Sequence, residues 1–157
     1  MKRLSLIIIL TMVLAVCGCS GKSGKKYFWQ KNNQVKTIGI ISSPDANGNS
    51  PTAVDLIFIY NDFLGSELLK LNADQWFETK NEVLLKFYGG VDVLSYEVVP
   101  FSEVKDIKLP DKHKDAVDII IFAQYQSAAG SIPAVLTNYK YPLIRLEKEK
   151  YTIRSEV

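Results

Sequence analysis

Two kinds of hydrophobic spacing alternate along the chain. Val35 to Ile41 is short, β-branched and flanked by polar residues, which predicts a strand. Ser42 to Thr52 is polar and rich in turn formers, a loop with Asn47-Gly48 at its centre and Pro44 and Pro51 at its shoulders. Ala53 to Tyr60 then alternates: Val54, Leu56, Phe58 and Tyr60 on one face, Asp55, Ile57 and Ile59 on the other. Apolar residues on both faces predict an inner strand, with Asp55 near an end. From Asp62 to Lys80 the period becomes helical through Leu64, Leu68 and Leu71. Asn72 with Gln75 three residues later predicts a capped restart, so the segment reads as one broken helix or two short ones. Thr79 with Glu82 is a further capping match, leaving Glu82 to Tyr88 open between helix and strand before Gly89-Gly90 stops it.

Strand patterns return over Asp92 to Val99, ending at Pro100, and over Val104 to Leu109 as a shorter candidate. Ala116 to Tyr125 is the strongest. Val117, Ile119, Ile121, Ala123 and Tyr125 face one way there, Ile120 and Phe122 the other. Ser127 to Tyr141 reads as irregular. Leu143 to Leu146 and Tyr151 to Arg154 predict a final hairpin around residues 147–150. About seven to eight short strands with one short helical insertion predict a mainly β chain, a β-sandwich over residues 34–157 with no repeat and no second domain.

The N-terminus follows another logic. Lys2 and Arg3 precede an apolar run from Leu4 to Val16. At about 13 residues it is shorter than the roughly 20 of a bilayer-spanning helix and has the size of a signal-peptide core. Leu14-Ala-Val-Cys-Gly-Cys19-Ser20 then resembles a bacterial lipobox, in which the processed Cys follows a small residue. Cys19 follows Gly18 and fits; Cys17 follows the branched Val16 and fits less well. The expectation is a signal peptide over residues 1–18, with lipid carried on Cys19 and a flexible tether over residues 19–33. With its thiol acylated, the mature chain has no disulfide. By resemblance to bacterial lipoproteins, Ser20 rather than Asp after Cys19 directs the protein to the outer membrane. Lys22, Lys25 and Lys26 in the tether either touch anionic headgroups or serve as a solubilising spacer.

Charge narrows the function classes. Lys+Arg number 19 and Asp+Glu 17. Lys2 and Arg3 are the only charges in the first eighteen residues, so the remainder has equal numbers of each sign. A neutral body lacks the positive surplus of a nucleic-acid binder. At 47% hydrophobic and 23% charged it is an ordinary globular composition. Two Cys and one His disfavour a zinc cluster or a disulfide scaffold. His113, between Lys112 and Lys114, has no oriented partner in sequence and reads as a solvated surface residue; no Ser–His–acid spacing is recognisable. Asp45-x-Asn47-x-Asn49 is reminiscent of a calcium loop but has Ser50 and Leu56 where an EF-hand needs Gly and Glu. Gly89-Gly90 lacks the Lys and Ser/Thr of a phosphate loop. Tyr27-Phe28-Trp29 reads as core or rim aromatics, with a ligand stripe or interfacial belt as alternatives. No cofactor, metal or small-molecule substrate is expected.

One stretch is more informative. Ser43-Pro44-Asp45-Ala46-Asn47-Gly48-Asn49-Ser50-Pro51, followed by Val54 to Tyr60, resembles the signature of the TssJ lipoproteins of the type VI secretion system. Ala73-Asp74-Gln75-Trp76-Phe77, Val99-Pro100 and Ile121 to Gln126 match further family segments in the right order. Ser43 stands where the family has Asn, and Gln126 where it has Arg, so any ion pair of that Arg is absent. The resemblance implies a transthyretin-like β-sandwich held at the outer membrane. It also implies binding to the periplasmic region of the large inner-membrane subunit, TssM, through the loop spanning Pro44 to Pro51. That loop is stiffened by its prolines, which lowers the ordering cost of binding; Asp45, Asn47 and Asn49 would offer hydrogen bonds at its rim. Alternatively the loop is only a long connection. The competing function is a lipoprotein pilotin or assembly chaperone of another secretion or pilus machine.

Overall fold

The computed structural model describes residues 33–105 and 107–155. Cys17, Cys19, the tether lysines and Tyr27-Phe28-Trp29 lie outside them. The strands are β1 (Gly39–Ser42), β2 (Thr52–Ile59), β3 (Val91–Val98), β4 (Glu103–Val104), β5 (Asp118–Ala123), β6 (Ala134–Val135), β7 (Pro142–Leu146) and β8 (Tyr151–Ser155). Two helices, α1 (Leu64–Leu68) and α2 (Ala73–Lys86), lie between β2 and β3. The strands form two four-stranded sheets, ordered β4-β1-β7-β8 and β3-β2-β5-β6. All pairings are antiparallel except β1 with β7. This is the mainly β sandwich expected.

Alternation in β2 builds two cores at once. Val54, Leu56 and Phe58 point between the sheets, joining Ile40, Ile119, Ile121, Leu136, Ile144 and Leu146. Ile57 and Ile59 point outward and are covered by Leu64, Leu68, Ala73 and Trp76 of the helices. The molecule therefore has three layers, with the β2–β5 sheet in the middle and apolar on both faces. The restart of α2 is as predicted: Gln75 N–H donates to Asn72 Oδ1 at 2.9 Å and Asn72 N–H to Gln75 Oε1 at 3.0 Å.

Several expectations change. Val35 and Ile38 are buried, but the chain pairs as a strand only from Gly39; before that, Gln34 N–H and Lys36 N–H bond to the carbonyls of Thr137 and Lys140. Asp55 lies within β2 rather than near its end, paired between Ser95 and Phe122, because Trp76 and Lys80 supply polar partners there. Thr79 starts no new helix. Its hydroxyl bonds back to the Gln75 carbonyl, and α2 runs through to Lys86, resolving the ambiguous stretch. Val117 packs with the helix-side core, since strand alternation starts only at Asp118. The candidate strand from Val104 shrinks to Glu103–Val104, and the irregular stretch after Ser127 contains β6.

Strand direction gives the sandwich two distinct ends. β2 begins at the end that carries loop 43–51, the β3–β4 turn and the β7–β8 hairpin tip. It finishes at the opposite end, beside Tyr60, Gly90 and residues 110–117.

Candidate functional site

Loop 43–51 is folded onto its neighbours. It contains a short 3₁₀ segment, Ala46–Asn49, whose backbone is left-handed at Asn47 (φ 48°) and Gly48 (φ 62°); Asn49 follows at φ 65°. Asn and Gly are the residues that tolerate this conformation, so the Asn-Gly-Asn run is a backbone requirement. Asn47 is 4% exposed, and its side chain is fully engaged. Nδ2 donates to the carbonyls of Pro51 (3.1 Å) and Gln124 (3.3 Å), and Oδ1 accepts from the Gln126 N–H (2.8 Å). On the loop's other side, Asn47 N–H and Gly48 N–H donate to the carbonyls of Glu147 and Lys148 at the hairpin tip.

The surrounding segments are fastened in turn. Tyr125, buried, accepts the Glu147 N–H on its phenol oxygen at 3.2 Å and packs against Tyr151 with ring centroids 6.5 Å apart. Burial, reinforced by the Glu147 carboxylate, pushes the Tyr125 phenol up to about 12; its hydrogen bond with the Glu147 backbone pulls the other way. Gly130 leaves room for this ring, with which a Cβ there would collide. Gln126 Nε2 donates to Ser50 Oγ at 2.8 Å. The residue that departs from the family pattern thus holds the loop with its amide. Ser43 Oγ donates to Asp45 Oδ1 at 2.8 Å.

What the loop presents is therefore narrower than the sequence suggests. Pro44, Asp45, Gly48, Asn49 and Pro51 are exposed and Ser50 half-buried, whereas Ala46 and Asn47 are buried. Asn47 is not a rim donor, because its polar atoms face the protein.

The sequence reading missed a second component. The β3–β4 turn lies against the loop: Phe101 N–H donates to the Ser43 carbonyl (3.2 Å) and Ser42 N–H to the Ser102 carbonyl (2.8 Å). Phe101 is 82% exposed and adopts φ 58°, a left-handed backbone unusual for a bulky residue. Val99 beside it is exposed too. Only Val99-Pro100-Phe101, three apolar residues at a turn, marks this site in the sequence.

Among the described residues, no three His, Cys, Asp or Glu side chains come together as a metal site. His113 lies at the opposite end, half-buried rather than freely solvated, with Nδ1 2.8 Å from the Pro110 carbonyl.

No protein-family model and no curated protein matches the chain. Solved structures do. The type VI secretion lipoprotein TssJ1 from Pseudomonas aeruginosa superposes with a TM-score of 0.61 at 14% identity, over 80% of this chain and 98% of that one. Lip from Serratia marcescens, a membrane-bound component of the type VI secretion system, gives 0.54 at 12% identity, over 76% and 96%. A chain of a type VI membrane complex gives 0.56 at 16% identity, over 74% and 95%. In architecture, this chain is a TssJ-like β-sandwich.

Proposed function

We propose that the protein is the outer-membrane lipoprotein subunit of a type VI secretion membrane complex. Lipid on Cys19 holds it at the periplasmic face, and the end formed by loop 43–51 and the Val99–Phe101 turn docks the periplasmic part of TssM. The observation that carries this reading is Phe101. Its ring is four-fifths exposed, carried on left-handed backbone whose N–H donates to the Ser43 carbonyl of the loop, so the side chain gains little from burial where it stands. Rigid aromatics set among ordered polar neighbours are typical binding anchors. The pinned loop supplies that setting, with Asp45 and Asn49 outward. Sandwich architecture, lipobox and loop signature support the same role, which is binding and not catalysis.

Co-purification with the periplasmic part of TssM tests the face. Removing the whole loop would also remove the anchoring Asn47, so the useful variant is Asp45→Lys, at an exposed position outside the left-handed Asn-Gly-Asn run. Loss of co-purification with an unchanged melting temperature is expected. Undiminished capture would take the loop out of the interface. Cys19→Ser should abolish acylation; normal acylation of that variant would move the anchor to Cys17.

A further inference from the structure

The end of the sandwich opposite the loop is also unusual. Here the described chain begins: Asn33 Nδ2 donates to the His113 carbonyl at 2.6 Å, and Gln34 and Lys36 bond to Thr137 and Lys140. β2, β3 and β5 meet at this end, where Ile59 pairs with both Val91 and Asp118. The segments following β2 and α2 converge there too. Lys112 Nζ lies 4.4 Å from the Tyr60 ring centroid and donates to the Gly89 carbonyl at 3.3 Å.

Two large side chains project from these segments without joining either core. Tyr88 is 94% exposed, just after α2, and Phe63 is 68% exposed, just before α1; Leu85 is exposed on the last turn of α2. Around them are exposed lysines: Lys36, Lys86, Lys108, Lys112, Lys114 and Lys140. They outnumber the acidic Asp62, Asp92, Asp111, Asp115 and Asp118 of this end, and Asp92 is already bonded to the Tyr60 hydroxyl at 2.8 Å. The loop end has the reverse balance, with Asp45, Asp74, Glu97, Glu147 and Glu149 against Arg145, Lys148 and Lys150. The two ends thus differ in sign as well as in shape.

We propose that this basic, aromatic end is a membrane-contact face. Tyr88 seats at the headgroup level of the bilayer with the wholly apolar Phe63 ring on its acyl side, and the lysines meet anionic headgroups. Amphipathic aromatics and long basic side chains favour that interface, each with an apolar body and a polar tip. The proposal rests on the lipid-anchor reading and goes beyond it. Cys19 lies N-terminal to Asn33, so the anchor joins the fold at this end, and the loop end faces away from the bilayer. The domain is then oriented as well as tethered, with its docking face directed into the periplasm.

The test uses the full chain, isolated as the processed lipoprotein and reconstituted in phosphatidylethanolamine–phosphatidylglycerol vesicles. Tyr88→Cys and Asn49→Cys each place one free thiol for an environment-sensitive dye, since the acylated Cys19 does not label. Spin-labelled lipid should remove most of the emission at position 88 and leave position 49 unaffected. The double variant Lys112→Glu, Lys114→Glu should weaken the quenching at position 88. Equal, low quenching at both positions in a protein that co-floats with the vesicles would overturn the contact face while sparing the anchor. Failure to co-float would overturn the anchor and the face with it. Shielding of position 88 that grows with protein concentration in detergent would make the face a contact between copies, and would also overturn the proposal.

Discussion

Oδ1 of Asn47 accepts a 2.8 Å hydrogen bond from the backbone N–H of Gln126, residues separated by 79 positions. Through this contact the loop before β2 is fixed to the segment after β5, and one buried amide sets the shape of the proposed docking face. Asn47→Ala loses three hydrogen bonds and places a Cβ-bearing residue with no side-chain compensation in left-handed backbone. A destabilisation of about 3 kcal/mol is expected in denaturant unfolding. Asn47→Gly loses the same bonds without the backbone strain, so it should be milder by about 1 kcal/mol. Equal losses would show that the backbone conformation contributes nothing.

Asp55 is the second buried polar anchor. At 1% exposure, its Oδ2 accepts from Trp76 Nε1 at 2.8 Å and Lys80 Nζ at 3.2 Å, while the Trp76 indole stacks on Phe122 with centroids 5.3 Å apart. Asp55→Ala leaves the neutral Trp76 indole N–H unpaired while the partly exposed Lys80 ammonium can turn to solvent, and should cost about 1–3 kcal/mol. Lys80→Ala leaves the buried Asp55 carboxylate without its counter-ion and should cost more, about 3–5 kcal/mol. Thermal unfolding of the two variants checks the ranking.

Thr52 begins β2 fully buried, and its hydroxyl has no hydrogen-bond partner among the described residues. Thr52→Val keeps the shape and removes the unpaired group. It should stabilise the fold by about 1 kcal/mol, measured as a rise in denaturation midpoint at constant m-value.

Alkaline pH should unfold the protein through its tyrosines. Tyr125 is held at about 12 by burial, and Tyr60 and Tyr151 are also raised, chiefly by burial. The unfolded chain releases these protons near pH 10, before the folded one does, so stability is intact below pH 10 and falls as pH rises from there towards 12. Phenolate absorbance should show Tyr125 ionising only near pH 12. A melting temperature flat from pH 9 to 12 would contradict this.

Much of the architecture is legible in the sequence where one spacing repeats. The two-faced apolar pattern of β2 places it inside a sheet, and Asn72 with Gln75 marks the start of α2. The misses share a physical cause. Val35 and Ile38 are apolar and buried, so their pattern looks like a strand, but their neighbours' N–H groups bond to irregular chain. Asp55 reads as a strand end only because its partners, Trp76 and Lys80, lie on a helix distant in sequence. At the site, Asn-Gly-Asn announces the turn but not that the Asn47 side chain faces inward. Val99-Pro100-Phe101 signals an apolar turn but not its place beside Ser43, which tertiary contact alone sets.

The docking claim meets its sharpest test in Phe101→Gly. Glycine accepts φ 58° without strain, so stability should stay unchanged or rise by up to about 1 kcal/mol, while binding loses its anchor. Titration calorimetry of the variant against the periplasmic part of TssM should show affinity weakened by at least about tenfold, a loss typical of an anchor residue. Wild-type affinity in a folded Phe101→Gly protein would contradict the account.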